Sequence, residues 1–467
     1  MKPIISTALL LGTMSACVPH TYVTRKQADP KVPNTFSMKK SNSQSNNLDS
    51  KWWMEFGDKE LDSTIEQGLK NNLDIQMAAA RFEQADAVAR KLGAVYWPRF
   101  DLGVDAGRNQ IINQFFGGGA RTFNRFEVSM GVSYEFDLWG KFRTQRKGAL
   151  RDAQASHEDV NAAIMSITAR ISETWYLLGE QRAQAVLLRE QISVNETVLS
   201  LIQARFEQGL ANALDVFQQK QQLLKTRRRL EPTLAQIRVL ENQLDVLLGR
   251  APTANRKEKR IQLPRLSGLP QIGVPLDLLQ QRPDLRAAYA RVKAADHRIA
   301  SAIAERFPSL RLSASTGFLS GDISTIFDGL IWNVLGGFVL PLIDGGQRKA
   351  EVSRQRAILK MTLAQYKKVV ITAVQEVEDA LVQLERKESE LIQLQAELNV
   401  ARSAFTEAQN RYIQGLSSYL PVLTALVGMQ EAERNELTAQ RQLISHRIQL
   451  YRALGGGMKP PKQEESK

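Results

Sequence analysis

Between Gly346 and Gly415 the chain contains neither proline nor glycine, and every seventh residue is apolar: Leu363, Val370, Val377, Leu384, Leu391, Leu398, Phe405 and Tyr412. Three positions further on stand Tyr366, Ala373, Ala380, Lys387, Leu394, Ala401 and Ala408, apolar apart from the lysine. This is the seam of a coiled coil, sustained over about 65 residues, or about 100 Å at about 1.5 Å per residue. A strict seven-residue repeat drifts around a straight helix, so the seam predicts a left-handed wrap around a neighbour. The alanines let that neighbour come close.

The same pattern stands about 206 residues earlier: Ile164, Ile171, Leu178, Ala185, Ile192, Leu199 and Phe206. Each run ends on matching punctuation, Arg205-Phe206-Glu207-Gln208-Gly209-Leu210 and Arg411-Tyr412-Ile413-Gln414-Gly415-Leu416. A further repeat follows each, through Val216, Leu223, Leu230, Ile237 and Leu244, and through Val422, Met429, Glu436, Leu443 and Leu450, apolar apart from the glutamate, closing at Leu248-Gly249 and Leu454-Gly455. The chain is therefore an internal duplication, and each copy is a long helical hairpin turning at Gly209 or Gly415.

Ahead of each hairpin the period changes to two. Phe126, Val128, Met130, Val132, Tyr134 and Phe136 alternate with Arg125, Glu127, Ser129, Gly131, Ser133 and Glu135, and Phe100, Leu102, Val104 and Ala106 form a shorter partner run. The second copy repeats the pair at Leu310–Phe318 and, less cleanly, at Leu330–Leu340, where Ile331, Leu335 and Val339 are also apolar. Such alternation predicts strands with one apolar and one polar face, long enough to cross a hydrocarbon layer at barrel tilt. A half-buried strand of a soluble sandwich has the same local pattern. The isolation of these strands between very long helices favours the membrane. Single helices are expected over about Asp58–Val95 and Leu276–Arg306, and loops at 107–123 and 319–329.

The organisation that follows is a signal segment 1–16, an extended tether 17–50, a helical segment 51–97, strands 98–138, the first hairpin 139–249, an irregular segment 250–275, a helix 276–307, strands 308–343, the second hairpin 344–455 and a polar tail 456–467. The fold class is mostly α with a transmembrane β-barrel. Four strands cannot close a barrel, and an open edge in lipid leaves backbone groups unsatisfied. The chain must then associate about a common axis: two copies give a barrel filled by its own side chains, three give room for a lumen.

Charge and cysteine refine this picture. The net charge of +13 suggests nucleic acid at first sight. The basic residues are interspersed with Glu and Gln along helix exteriors, however, so nucleic-acid binding is not expected. The one cysteine, Cys17, follows a basic start, a short apolar run from Ile4 to Gly12, and Met14-Ser15-Ala16. The run is too short to span a bilayer and reads as a secretion signal. The arrangement resembles the lipobox of bacterial lipoproteins, in which such a cysteine becomes acylated. A plain signal peptide with an incidental cysteine is the alternative. Val18 follows the cysteine, rather than the aspartate often associated with inner-membrane retention, which favours the outer membrane.

Several stretches together resemble the TolC-type outer-membrane efflux channels, in their OprM-like lipoprotein branch. They are Tyr134-Glu135-Phe136-Asp137-Leu138-Trp139-Gly140-Lys141, Gly273 to Asp284, Phe307-Pro308-Ser309-Leu310, Pro341 to Gly346 and the two Gly-Leu turns. The resemblance covers Trp52 to Gly455. It implies a homotrimer with a twelve-stranded barrel and a twelve-helix periplasmic duct in the outer membrane of a Gram-negative bacterium, anchored in lipid through Cys17. It further implies a periplasmic adaptor and an inner-membrane pump, of the RND type, as partners. The channel would conduct small molecules passively, with no cofactor or metal. Arg205, Gly209, Leu210, Arg411, Gly415 and Leu416 match the family's adaptor-docking tips, although glycine at such a turn also has a purely structural use.

For the gate, family members commonly carry aspartates after the second turn. Here Ser417-Ser418-Tyr419-Leu420-Pro421-Val422-Leu423-Thr424 has no carboxylate, and Asp215 after the first turn is the nearby acid. Tyr419 and Leu420, with Thr424, are expected to make an apolar constriction instead, insensitive to millimolar divalent cations. Export of proteins by a one-step secretion system stays open within the family. A soluble coiled-coil scaffold would leave the signal segment and the strands unexplained. For an enzyme, the four histidines are scattered without ligand spacing, and no nucleophile or phosphate-loop motif is present.

Overall fold

The computed structural model describes residues 20–36, 51–112, 120–253, 261–266, 268 and 274–457. Cys17, the Lys39–Asn47 run, Phe115-Phe116 and the basic patch at Arg256–Arg260 lie outside them. The chain divides into two units, one of residues 1–29, 81–156 and 288–367, the other of 30–80, 157–287 and 368–467.

The first unit carries the sheet, with strands β1 (Arg99–Ile112), β2 (Ala120–Phe136), β3 (Ser309–Ser320) and β4 (Leu330–Val339). They pair antiparallel in sequence order, so β1 and β4 each keep one unpaired edge among the described residues. The strands run further than the alternation suggested. The expected loops at 107–123 and 319–329 shrink accordingly, because Gly107–Ile112 pairs with Ala120–Arg125 along the hairpin. In register, Leu102 faces Met130 and Met130 faces Thr316, which faces Trp332. Asp105 faces Glu127, and Glu135 faces Arg311. Residues paired across an antiparallel ladder share a face, so one face is apolar over the whole sheet, while the other is polar over β1 to β3 and on β4 carries Ile331, Leu335 and Val339 beside Asn333. The apolar face is uncovered: Leu102, Val104 and Trp332 are each more than 70% exposed.

In the same unit the N-terminal segment is extended except for one helical turn, α1 (Arg25–Ala28). Over 20–29 it is held by specific bonds. The backbone N–H of Val23 donates to Asp296 Oδ2 at 2.6 Å, and His20 Nε2 lies 2.6 Å from Asp296 Oδ1. The Tyr22 ring sits edge-on to His297, and Tyr366 Oη donates to Asp29 Oδ1 at 2.5 Å. Ala28 is fully buried.

The long helices are α4 (Lys141–Glu207), α5 (Ala213–Leu247), α8 (Gln347–Ile413) and α9 (Tyr419–Ala453). Both first members have 67 residues and both second members 35. The duplication is thus kept to the residue. On α8 the expected seam is buried where it is alanine-rich, at Val370, Ala373, Val377, Ala380 and Leu384. On α4 the seven-residue line fails beyond Ala185: Phe206 is 47% exposed, and the buried line is Leu188, Gln191, Asn195, Val198 and Ile202. A seven-residue repeat drifts about 20° per heptad on a straight helix, and a three-residue step at Leu188 restores the contact face.

The second unit also corrects the two single helices expected before the strands. The first is α2 (Lys59–Asn71) and α3 (Leu73–Gly93), the second α6 (Leu278–Gln281) and α7 (Pro283–Ala304). Each breaks at one extended residue, Asn72 or Arg282. Pro283 forces the residue before it out of the helical region. At Asn72 the side chain competes with the helix, accepting from the N–H groups of Asp74 and Ile75 as a cap. Both break residues then donate to the end of the returning helix of their own copy, Asn72 Nδ2 to Leu247 O at 2.8 Å and Arg282 Nη1 to Ala453 O at 3.1 Å. A core of Trp52, Ile65, Ile171, Trp175, Ile448 and Tyr451 packs beside the first of these clamps.

Candidate functional site at the hairpin tips

Both tips lie in the second unit and close by the same device. Gly209 has φ +72° and Gly415 φ +75°, values that a side chain resists. Gly209 N–H donates to Phe206 O at 2.9 Å and Leu210 N–H to Arg205 O at 2.8 Å. At the second tip Gly415 donates to Tyr412 O at 3.0 Å and Leu416 to Arg411 O at 2.9 Å. These paired bonds satisfy the last carbonyls of α4 and α8. A leucine after such a turn usually folds back on its helix. Here Leu210 and Leu416 point away, 60% and 65% exposed. Arg411 is also exposed.

Arg205 is used differently. Its Nη1 donates to Ile413 O at 3.3 Å, and its guanidinium lies 4.8 Å from the Tyr412 ring centroid. It ties the first tip to the second. Asp215 is committed as well: it forms a reciprocal cap with Asn212, accepting from the Asn212 N–H at 3.4 Å while its own N–H donates to Asn212 Oδ1 at 2.9 Å.

Of the residues expected at the constriction, Tyr419 is placed inside the tip. It is 1% exposed and packs with Val198, Ile202, Tyr412, Val422 and Leu426. Its Oη donates to Gln219 Oε1 at 2.6 Å, and burial pushes its phenol well above the usual range. Leu420 is 57% exposed, and Thr424 donates its hydroxyl to Leu420 O at 3.0 Å. Leu420 is thus the apolar side chain of the three that faces outward.

Sequence reasoning missed what lies behind the tip. Asn195, Gln219 and Gln430 have no exposure at all, and Gln191 and Thr226 have 3% and 2%. Gln219 Nε2 donates to Asn195 O at 2.8 Å, Gln191 Nε2 to Gln430 O at 3.0 Å, and Gln222 Nε2 to Gln430 Oε1 at 3.2 Å. The network joins α4, α5 and α9 in a dry core, where directional bonds specify one arrangement. Gln430 Nε2 finds no acceptor among the described residues. The available signal was the polar residues on the contact face of α4. Also missed are Phe206, Leu214 and Phe217 beside the first tip, 47%, 60% and 66% exposed. Among the described residues no acidic, histidine or cysteine cluster could hold a metal, and no helix is long and apolar enough to cross a membrane.

The model of the outer membrane efflux protein family matches residues 64–250 and 274–456, one stretch for each copy. The chain is 30% identical over 426 residues to the pyoverdine export outer membrane protein OpmQ of Pseudomonas putida, covering 88% of both proteins. It is 30% identical over 421 residues to the toluene efflux pump outer membrane protein TtgF of Pseudomonas putida, covering 89% of this chain and 87% of that protein. Among solved structures, the outer membrane protein VceC of Vibrio cholerae superposes with a TM-score of 0.81 at 25% identity, over 88% of this chain and 100% of VceC. The MtrE outer membrane channel of Neisseria gonorrhoeae shares the fold at a TM-score of 0.83 and 23% identity, over 94% of this chain and 99% of that one.

Proposed function

The chain belongs to the outer membrane efflux protein family, and from that premise we propose that it is the exit duct of a tripartite efflux system, carrying small molecules passively out of the cell. The observation that carries this reading is the sheet. One face is apolar and uncovered, the other bears Asp101, Asp105, Glu127, Glu135 and Arg311, and both edges are unpaired. In lipid such a sheet is tolerable only when neighbouring copies complete it into a closed barrel with the polar face inward. Three copies, each adding four strands and two hairpins, make a twelve-stranded barrel and a twelve-helix duct.

The tips are the docking surface for a periplasmic adaptor, behind which stands an inner-membrane pump of the RND type. Leu210 and Leu416 with Phe206, Leu214 and Phe217 give that surface its apolar character. Gly209 and Gly415 shape it, and Arg411 adds charge at its edge. The gate lies at the same end and is apolar, with Leu420 as its lining residue, Thr424 one turn on, and Asp215 engaged in its cap. Tyr419 and Arg205 act behind it by fixing the tips. Cys17 anchors the mature chain in the outer membrane through an acyl chain. The relatives named for pyoverdine and toluene point to small organic molecules as cargo. The docking role is tested by Leu210→Asp combined with Leu416→Asp. The doubly substituted protein is expected to assemble in the outer membrane at the normal level, yet fail to restore solvent or drug tolerance to a cell lacking the channel. Full tolerance would remove the tips from the docking surface.

A further inference from the structure

Pro232 lies inside α5, where it removes a backbone N–H from the helix. Beside it α4, α5 and α9 leave a cavity of about 290 Å³, lined by Glu180, Gln184, Arg229, Thr233 and Arg434 among others. A water occupies about 30 Å³, so there is space for a small polyatomic ion with several waters.

The charges in this cavity do not balance. Arg434 Nη1 donates to the neutral Gln191 Oε1 at 2.7 Å. Its neighbour Glu433 turns elsewhere, accepting from Gln191 Nε2 at 3.0 Å and pairing with Arg402 at 3.5 Å. Glu180 is 3% exposed and already bonded to Arg441 Nε at 2.7 Å and Thr438 Oγ1 at 2.8 Å. Among the described residues neither Arg229 nor Arg434 forms an ion pair. Burial, then the Arg229 charge, pushes Arg434 down to about 10. Glu431 and Glu433 offset this in part, and Glu180 on the cavity wall is engaged by Arg441, so the two half-buried guanidiniums facing the cavity leave positive charge that an anion would balance.

We propose that this cavity is an oxyanion site, in which Arg229 and Arg434 hold the phosphate or carboxylate group of a small molecule. The planar guanidinium fork suits such a group, offering two parallel N–H donors. The site stands apart from the tips, and binding can be read without conductance.

The experiment is calorimetric titration of inorganic phosphate into the purified full-length protein in detergent, at ionic strength fixed with sodium chloride. A second series with citrate separates carboxylate from phosphate recognition. Saturable binding to the unsubstituted protein is expected, weakened about tenfold or more by Arg229→Gln. Arg228→Gln, at an exposed position outside the cavity, should leave it unchanged. Should Arg229→Gln fail to assemble, Arg229→Lys carries the same comparison, because it keeps the charge and loses the fork. The proposal is overturned if neither anion binds saturably, or if Arg228→Gln weakens binding as much as Arg229→Gln. The first outcome would assign the arginine pair to contact with another protein chain, the second to diffuse attraction.

Discussion

At the scale of single residues, the strictest demands are made where a helix ends against another segment. Gly249 has φ +71°, and a Cβ built on it would stand 2.1 Å from Asn71 O. Its counterpart Gly455 has φ +98°, with a Cβ 3.1 Å from the Gln281 backbone. Gly249→Ala therefore meets both backbone strain and a clash with main chain, and about 2–4 kcal/mol of destabilisation is expected. The thermal midpoint of the purified protein checks this, and the smaller clash at Gly455 predicts a smaller fall for Gly455→Ala. Tyr419→Phe is the corresponding probe at the tip. It leaves buried Gln219 Oε1 without its donor, at about 1–3 kcal/mol, and loosens α9 from α5. Single-channel records should then show longer or larger openings than the unsubstituted protein; unchanged records would take Tyr419 out of the gate's support. These residues also mark the limit of sequence reading. The left-handed glycines were legible because both turns carry the same Gly-Leu signature. The placement of Tyr419 was not, because an aromatic residue four positions after the turn glycine reads equally well as lining or as core. Only the Gln219 partner, distant in sequence, decides between them.

At the scale of elements, periodicity identified every long helix and all four strands. Both copies show two distinct periods, and each supports the other. What it could not place were interruptions that depend on a partner elsewhere. Leu61, Ile65, Leu69, Leu73 and Met77 step by four as though on one helix. Yet Leu61 and Ile65 are fully buried, while Leu73 and Met77 are 60% and 50% exposed, because the chain breaks at Asn72 to reach Leu247 O. The N-terminal segment is a similar case. Its polar composition implied an extended tether without saying what it touches; over 20–29 specific bonds to Asp296 and Tyr366 hold it. That attachment has a pH dependence. Burial first, then Arg151 and Lys147, pushes His297 down to about 4, against the opposing pull of Asp296 and alongside His20. An unfolded chain takes up this proton near pH 6.5. Between about 6.5 and about 4 the unfolded state thus binds more protons, and stability falls as pH falls through that window. Hydrogen exchange of residues 20–29 should quicken over this range and do so less in His297→Gln. An equal response in both proteins would place the titration elsewhere.

For the whole molecule, function follows from incompleteness. Among the described residues the sheet has two open edges and an uncovered apolar face, and paired hairpins of equal length in both copies suit the walls of the proposed duct. The proposed duct asks for a shape that several copies close and a tip whose arrangement changes. The buried network of Asn195, Gln219, Gln222 and Gln430 fixes one arrangement of α4, α5 and α9 behind that tip. The measurement that tests the central claim most directly is the conductance of the purified protein in a planar lipid bilayer. The account predicts discrete, long-lived unit steps from a membrane-inserted oligomer. A correctly folded protein that leaves the bilayer silent, or that stays soluble and monomeric without detergent, would contradict it.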